Sequence, residues 1–293
     1  MPWVRAVLIA LSSLAFSVRI GLCHAEKIFD LEAGVAYDSN LPRAPEEADK
    51  ASDTAVTLRL SGGWRGAVGD RSGVSATAFA RGAKFARFDG LDMVALGASA
   101  SAGTKFGLGP FVPWARVAAT AAAESYGESV RNGVRTTAEL RVGERITEAL
   151  EVSGGARYDH FRADHTNSVL PGFSGDVFSG SGRSLFGRAE FAFTDRWLAY
   201  VDGSLRHGDF VSSTRPDPEI LEYSSAVRRD PAFGSDYVAY RLQGKTKALA
   251  LGANRALGAH SSIDFSLARA IARTQSDIEY ATSQAFFTYV YSY

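Results

Sequence analysis

Charged side chains at two-residue spacing are the first chemical feature of the sequence. Arg135, Glu139, Arg141 and Arg145 share one parity, and Arg157 with Asp159, Arg188 with Glu190, and Arg241 with Lys245 repeat the pattern. In an extended chain such residues fall on one face. Closed around a water-filled path, that face would draw anions: rings of Arg or Lys bias a pore toward them, and the planar guanidinium matches carboxylate and phosphate. The candidate lining residues are Arg59, Arg81, Arg116, Arg135, Glu139, Arg141, Arg157, Arg188, Glu190, Arg241 and Lys245. With Arg65, Arg87, Arg145, Arg206 and Lys247 the polar faces carry fourteen cations. Ten carboxylates oppose them, at Asp30, Glu32, Asp38, Glu124, Glu139, Glu151, Asp159, Glu190, Asp202 and Asp264. The alternative stays open: charges of both signs pair across neighbouring strands and plug the path, because a charge held away from water needs a partner.

Other chemistries are poorly supplied. Asp159, His160, Asp164 and His165 combine imidazole with carboxylate, a mixture divalent metals accept, but their spacing matches no compact metal motif and a solvated loop is expected. No glycine loop for phosphate and no Gly-x-Ser-x-Gly elbow occurs. Only five histidines are present, none with an evident serine partner. An enzyme acting on lipid or lipid A is therefore the least favoured reading, and no metal or cofactor is expected. A formal net charge of zero gives no basis for nucleic-acid binding.

The elements that must position these charges are strands. Phe29, Leu31, Ala33, Val35 and Tyr37 alternate with Asp30, Glu32, Gly34 and Ala36, and Val56, Leu58, Leu60 and Trp64 alternate with Thr57, Arg59, Ser61 and Arg65. Residues 134–145, 150–161, 185–194 and 238–247 follow the same rule. Weaker candidates lie at 74–87, 93–104, 111–123, 197–206 and 263–272, and 285–293 is the last. Arg269 and Arg273 fall in register with Ile263, Phe265 and Leu267, so a bulge or an early strand end is expected there. The total is about twelve strands. Several alternations run about 10 to 12 residues, the length of a tilted membrane-crossing strand, whereas soluble strands average about 5 to 6.

The connections alternate in length. Residues 66–73, 103–110, 143–149, 195–196 and 252–259 are brief, and 39–53, 88–92, 124–133, 163–182, 207–235 and 274–282 hold the rest. Short turns at one end and longer loops at the other is the layout of outer-membrane barrels, with the long loops outside. The fold class expected is an all-β, transmembrane, antiparallel up-and-down barrel. In lipid an unpaired backbone group costs several kcal/mol, so amphipathic strands must close into a ring. The longest loop, 207–235, is expected to be a mobile solvated segment, a constriction in the mouth being the other option. Phe29, Tyr37, Trp64, Phe111, Trp114, Tyr158, Trp197, Tyr237 and Tyr289 are candidates for interfacial aromatic girdles.

The N-terminus reads as an export signal. Arg5 precedes the apolar run 6–16, and Cys23-His24-Ala25 offers small residues at a cleavage site. The expected organisation is a signal peptide over 1–25 and a barrel over 26–293. Removing the signal removes the one cysteine, so no disulfide framework is expected.

The ending Phe287-Thr288-Tyr289-Val290-Tyr291-Ser292-Tyr293 resembles the final strand of Gram-negative outer-membrane β-barrel proteins. That resemblance implies that Phe287, Tyr289, Tyr291 and Tyr293 are the signal read by the barrel assembly machinery. In size and strand number the chain resembles autotransporter translocator barrels and small twelve-stranded channels for acidic oligosaccharides or nucleosides. Residues 34–40 look like first strands of several barrels, including surface lipoprotein assembly modifiers. The reading is a small passive pore of the cell outer membrane with weak anion preference. Its partners are the lipid bilayer with lipopolysaccharide, the assembly machinery, and a small anionic solute as candidate permeant. A structural or surface-interaction barrel with a plugged lumen is the alternative.

Overall fold

The computed structural model describes residues 25–168, 171–274 and 277–293; the expected signal peptide lies almost wholly outside them. Nine strands come first: β1 (Ala25–Asp38), β2 (Asp53–Val68), β3 (Ser72–Phe85), β4 (Met93–Lys105), β5 (Trp114–Tyr126), β6 (Gly133–Arg145), β7 (Leu150–Ala163), β8 (Gly180–Thr194) and β9 (Trp197–Thr214). A short helix, α1 (Pro218–Glu222), and a short strand, β10 (Ala226–Arg229), follow; then β11 (Val238–Ala256), β12 (Ser261–Thr274) and β13 (Glu279–Ser292) complete the order.

Every strand except β10 joins one antiparallel ring of twelve. β9 pairs with β11 over its whole length, and β13 returns to β1 with Val35 opposite Phe287 and Leu31 opposite Tyr291. Phe29 and Tyr293 exchange backbone hydrogen bonds of 3.0 and 2.8 Å. β10 lies above the ring against the upper end of β11. No backbone edge is left in the wall, as hydrocarbon surroundings demand.

Period-two alternation decides which way each side chain points. Val56, Leu185 and Leu251 are 62, 64 and 59 % exposed, and their outward neighbours Leu58, Leu60, Leu140, Leu205 and Leu249 are exposed as well. A belt of large aliphatic side chains facing outward on a closed β-wall is a lipid-facing surface. The barrel is a transmembrane one. Among the described residues no helix is long and apolar enough to cross a membrane.

Some boundaries differ from expectation. β11 continues to Ala256, so Gly252 sits inside a strand and the turn shrinks to 257–260. β12 runs unbroken through Arg269 and Arg273, each paired in register, and no bulge occurs there. The register shift lies instead between Ala192 and Thr194, beside the β8–β9 turn. Charged residues continue the apolar parity of β12 because its upper end has reached the headgroup region, where charge on the lipid face costs only about 0 to 1 kcal/mol.

The long loops pack together over one mouth. Ile220 of α1 is buried with Tyr240, Leu242, Ala272 and Tyr280, and Phe210 stacks edge-on against Tyr280 with centroids 5.1 Å apart. A second apolar cluster joins Phe161 and Ala163 of β7 to Val177, Phe178 and Ala226 of the loops. The 215–237 connection is thus anchored by burial, contrary to its expected mobility. Asp217 caps α1 by accepting from the Glu219 and Ile220 amides.

Candidate functional site

The inward faces of β2 to β9 carry a stack of arginines and the carboxylates that hold them. Glu124 on β5 is fully buried and accepts from Arg81 on one side and from Arg135 at 2.8 Å on the other. Ala95 and Ala122 are the small register neighbours that let both guanidiniums reach it. Tyr126 donates a further 2.8 Å bond to its second oxygen. Each lone pair of this buried carboxylate has a donor, which is what makes such a charge tolerable away from bulk water.

Glu139 repeats the arrangement one level nearer the short turns. Arg141 donates to one of its oxygens at 3.2 Å and Arg157 to the other at 2.6 Å. Both guanidiniums lie over the Phe186 ring, 5.0 and 5.5 Å from its centroid. Arg188 inverts the stoichiometry, binding both Glu190 and Asp202, and sits 4.0 Å above the Tyr200 ring. Arg206 pairs with Asp159 at 2.9 Å, and Arg59 is 3.9 Å from Glu32. Arg116 stands directly opposite Arg141 in register, donates to Ser101, and has no carboxylate partner among the described residues.

Beside this stack the inner wall is hydroxylic. Ser75 meets Ser101 at 2.8 Å and Thr77 meets Ser99 at 2.7 Å across β3 and β4. Across the ring, β11 and β12 turn in Thr246, Ala248, Ala250, Ala268 and Ala270.

Two candidate lining residues lie elsewhere. Lys245 shares the outward parity of Leu249 and Leu251, and Lys247 joins it. Arg241 is on the same side, above the ring, where it binds Asp176 at 3.1 Å and donates to the carbonyls of Asp176 and Ser179. The sequence parity inverts here because the upper part of β11 faces the loop-filled mouth: Tyr240 and Leu242 point inward into an apolar cluster. Arg87 belongs to a loop. Without Arg87, Arg241, Lys245 and Lys247 the fourteen cations become ten, equal to the ten carboxylates. Trp114 is also misplaced as a girdle residue, since it shares the inward parity of Arg116 and lies against Gly143. Asp159 faces in while His160 faces out, so the His–carboxylate group does not converge; among the described residues no cluster of three or more such side chains could hold a metal.

The sequence reading missed the loop residues that reach across the mouth. The 39–52 loop leaves β1 and reaches β9, four places round the ring past β13, β12 and β11. Ser213 donates to the Pro42 carbonyl and Ser212 to the Arg43 carbonyl, both at 2.8 Å. Asn40 locks its base, donating to the carbonyls of Ala44 and Ala281 at 2.9 Å. Arg43 has a left-handed φ of 53°. Water reaches this side chain, yet the mouth walls it in: desolvation lowers its pKa from the ordinary value, with Asp38 opposing and Arg206 adding to the shift. Ion pairs tie the cap, among them Arg131–Asp230, Arg241–Asp176, and Arg215 with both Asp49 and Asp236. The sequence marked this segment only as one of the longer connections, and a contact with a residue 169 positions away has no local signature.

No family model matches the chain, and no curated protein matches it. Solved structures do. An outer-membrane channel of Pseudomonas putida aligns at 10% identity and TM-score 0.54, covering 91% of this chain and 95% of that one. The channel DcaP of Acinetobacter baumannii aligns at 8% identity and TM-score 0.45, over 92% and 97%. The translocator domain of the autotransporter NalP from Neisseria meningitidis aligns at 13% and 0.44, over 98% and 96%. At such identities the likeness is one of fold.

Proposed function

We propose that the chain, freed of its signal peptide over 1–25, is a narrow passive pore of the outer membrane with weak anion preference. The observation that carries this reading is the sharing of carboxylates: Glu124 and Glu139 each serve two arginines, and Arg116 has none to itself. Although interior charges balance overall, these levels keep a local positive excess, and such a ring favours anions. Arg59, Arg81, Arg116, Arg135, Glu139, Arg141, Arg157, Arg188 and Glu190 are the proposed lining. Small anionic solutes are the proposed permeants. Phe287, Tyr289, Tyr291 and Tyr293 are proposed as the segment engaged by the assembly machinery.

The test is single-channel recording in planar bilayers under a KCl gradient. A small conductance with a reversal potential on the chloride side is expected, moving toward zero or beyond in Arg116→Glu. Absence of conductance, or clear cation preference, defeats the pore reading. The loop cap on two apolar clusters favours a second reading, a surface barrel with a closed lumen, and that reading predicts a silent bilayer.

A further inference from the structure

The outer wall carries a row of basic side chains that the pore reading does not use. In register, Arg183 on β8 stands opposite His207 on β9, His207 opposite Lys245 on β11, and Lys245 opposite Arg273 on β12. Lys247 and Arg269 lie in the next rows below, beside the outward Leu205 and Leu249. All six are exposed, and their parity is that of the lipid-facing leucines. Arg273 pairs with Glu279 at 2.7 Å, while the other five have no carboxylate partner among the described residues.

Directly opposite residues of a β-pair stand about 5 Å apart, and like charges there repel. Arg183, Lys245 and Arg273, with His207 between the first two and Glu279 as the one paired carboxylate, make a row on four consecutive strands that a polyanion shared between them would neutralise. The row lies at the long-loop end, which faces the outer leaflet in this class of barrel. At the same height a groove of about 1050 Å³ crosses β5 to β9 and β11, where the outward Tyr158, Leu185 and Leu205 with Arg183, Lys245 and Lys247 flank the backbone of inward residues such as Glu139, Arg157 and Arg206. Cations above, aliphatic wall beneath: the chemistry is that of a phosphorylated headgroup attached to acyl chains. Arg and Lys are the side chains that take phosphate, the first as a fork and the second as a point charge, and basic clusters at a membrane boundary recognise anionic lipid.

We propose that β8, β9, β11 and β12 form a lipid-facing site for a phosphorylated glycolipid of the outer leaflet, the lipid A portion of lipopolysaccharide, with its phosphates on Arg183, His207, Lys245 and Arg273. The site is on the outside of the wall and stands whether or not the lumen conducts.

The experiment is native mass spectrometry of the full detergent-solubilised barrel with bisphosphorylated lipid A, with dephosphorylated lipid A of the same acyl chains, and with inorganic phosphate. The wild type is expected to retain one bisphosphorylated lipid A at least 10-fold more tightly than Arg183→Gln/Lys245→Gln, and more tightly than it retains the dephosphorylated lipid. Lys27→Gln, which removes an outward cation at the opposite end of the wall, keeps wild-type retention. Heat-dependent gel migration, unchanged in all variants, shows that each is folded; should the double variant lose it, Lys247→Gln and Arg269→Gln are scored instead. Equal retention by wild type and variants overturns the proposal, as does equal retention of the dephosphorylated lipid. Inorganic phosphate bound as tightly as lipid A overturns the lipid assignment.

Discussion

Tyr200 lies across Gly252, its direct register partner, and donates a 2.8 Å hydrogen bond to Asp264 one strand further on. A Cβ on Gly252 would fall on the phenol ring. The missing side chain is what lets the ring bridge β9 to β12 and carry the Arg188 guanidinium 4.0 Å above its face. Gly252→Val is expected to lower stability by about 1 to 3 kcal/mol through overpacking. Gly203, which faces outward with nothing within 4 Å of an added Cβ, tolerates Ala within about 0.5 kcal/mol. Urea unfolding midpoints of the two variants compare these directly, and equal midpoints contradict the account.

Glu124 holds two arginines, so its removal has two readouts. Glu124→Gln leaves Arg81 and Arg135, each about a third exposed, without a countercharge, and weakening these charge-assisted hydrogen bonds costs about 1.5 to 3 kcal/mol. The same change adds one positive charge to the lumen, and the reversal potential moves further toward chloride. A destabilised variant with unaltered selectivity would place Glu124 off the conduction path.

Asn40 joins the base of the crossing loop to β13 through the Ala281 carbonyl and to its own turn through Ala44. Asn40→Ala orphans buried backbone groups at about 1 to 3 kcal/mol each, and the loop 39–52 is expected to leave its seat on Ser212 and Ser213. Amide exchange of residues 40–50 accelerates, and any conductance rises. Unchanged exchange shows that the bonds of Pro42 and Arg43 to β9 and the Arg215–Asp49 pair hold the loop without Asn40.

Asp176 sits in the cap, outside the membrane wall. Burial pushes its pKa up, but the Ser174 hydroxyl and the Arg241 guanidinium outweigh that and hold it below the ordinary 3.8. A carboxylate with a depressed folded value stabilises the cap above its unfolded pKa and loses that contribution as pH falls through the folded one. Amide exchange in 171–179 is therefore expected to speed up only in strongly acid solution, below pH 3.8. In Arg241→Gln exchange is already faster at neutral pH and the further rise in acid is smaller, because less of the folded-state shift is left to lose. An identical pH profile in both proteins removes Arg241 as the cause.

The ring was legible wherever lipid contact enforced alternation. Val56, Leu58 and Leu60 on β2, or Val134, Leu140 and Val142 on β6, have no other stable side to face. Parity alone failed where that pressure ends. On the upper turn of β11, Tyr240 and Leu242 are inward because loops fill the mouth, and Lys245 is outward because headgroups rather than acyl chains meet it. Arg269 and Arg273 misled for the same reason: they were legible as a break in the pattern, but the break marked a change of solvent and not of backbone. The pairing of Arg81 and Arg135 on one Glu124 was beyond reach because it depends on three strands at once. Cross-mouth contacts of Pro42 and Arg43 are through-space in the same sense.

The meeting of Phe29 with Tyr293 has a consequence for how such a wall is made. Eleven correctly paired strands still present two raw margins, each a full rank of unanswered amides and carbonyls, and either margin is a template for a foreign strand. Satisfaction arrives for all of them together, when 279–292 settles beside 30–38. A polypeptide cut short by one hairpin is then a sticky ribbon and not a slightly smaller vessel. Stability of the finished object is correspondingly indivisible: to loosen one strand is to reopen the circle.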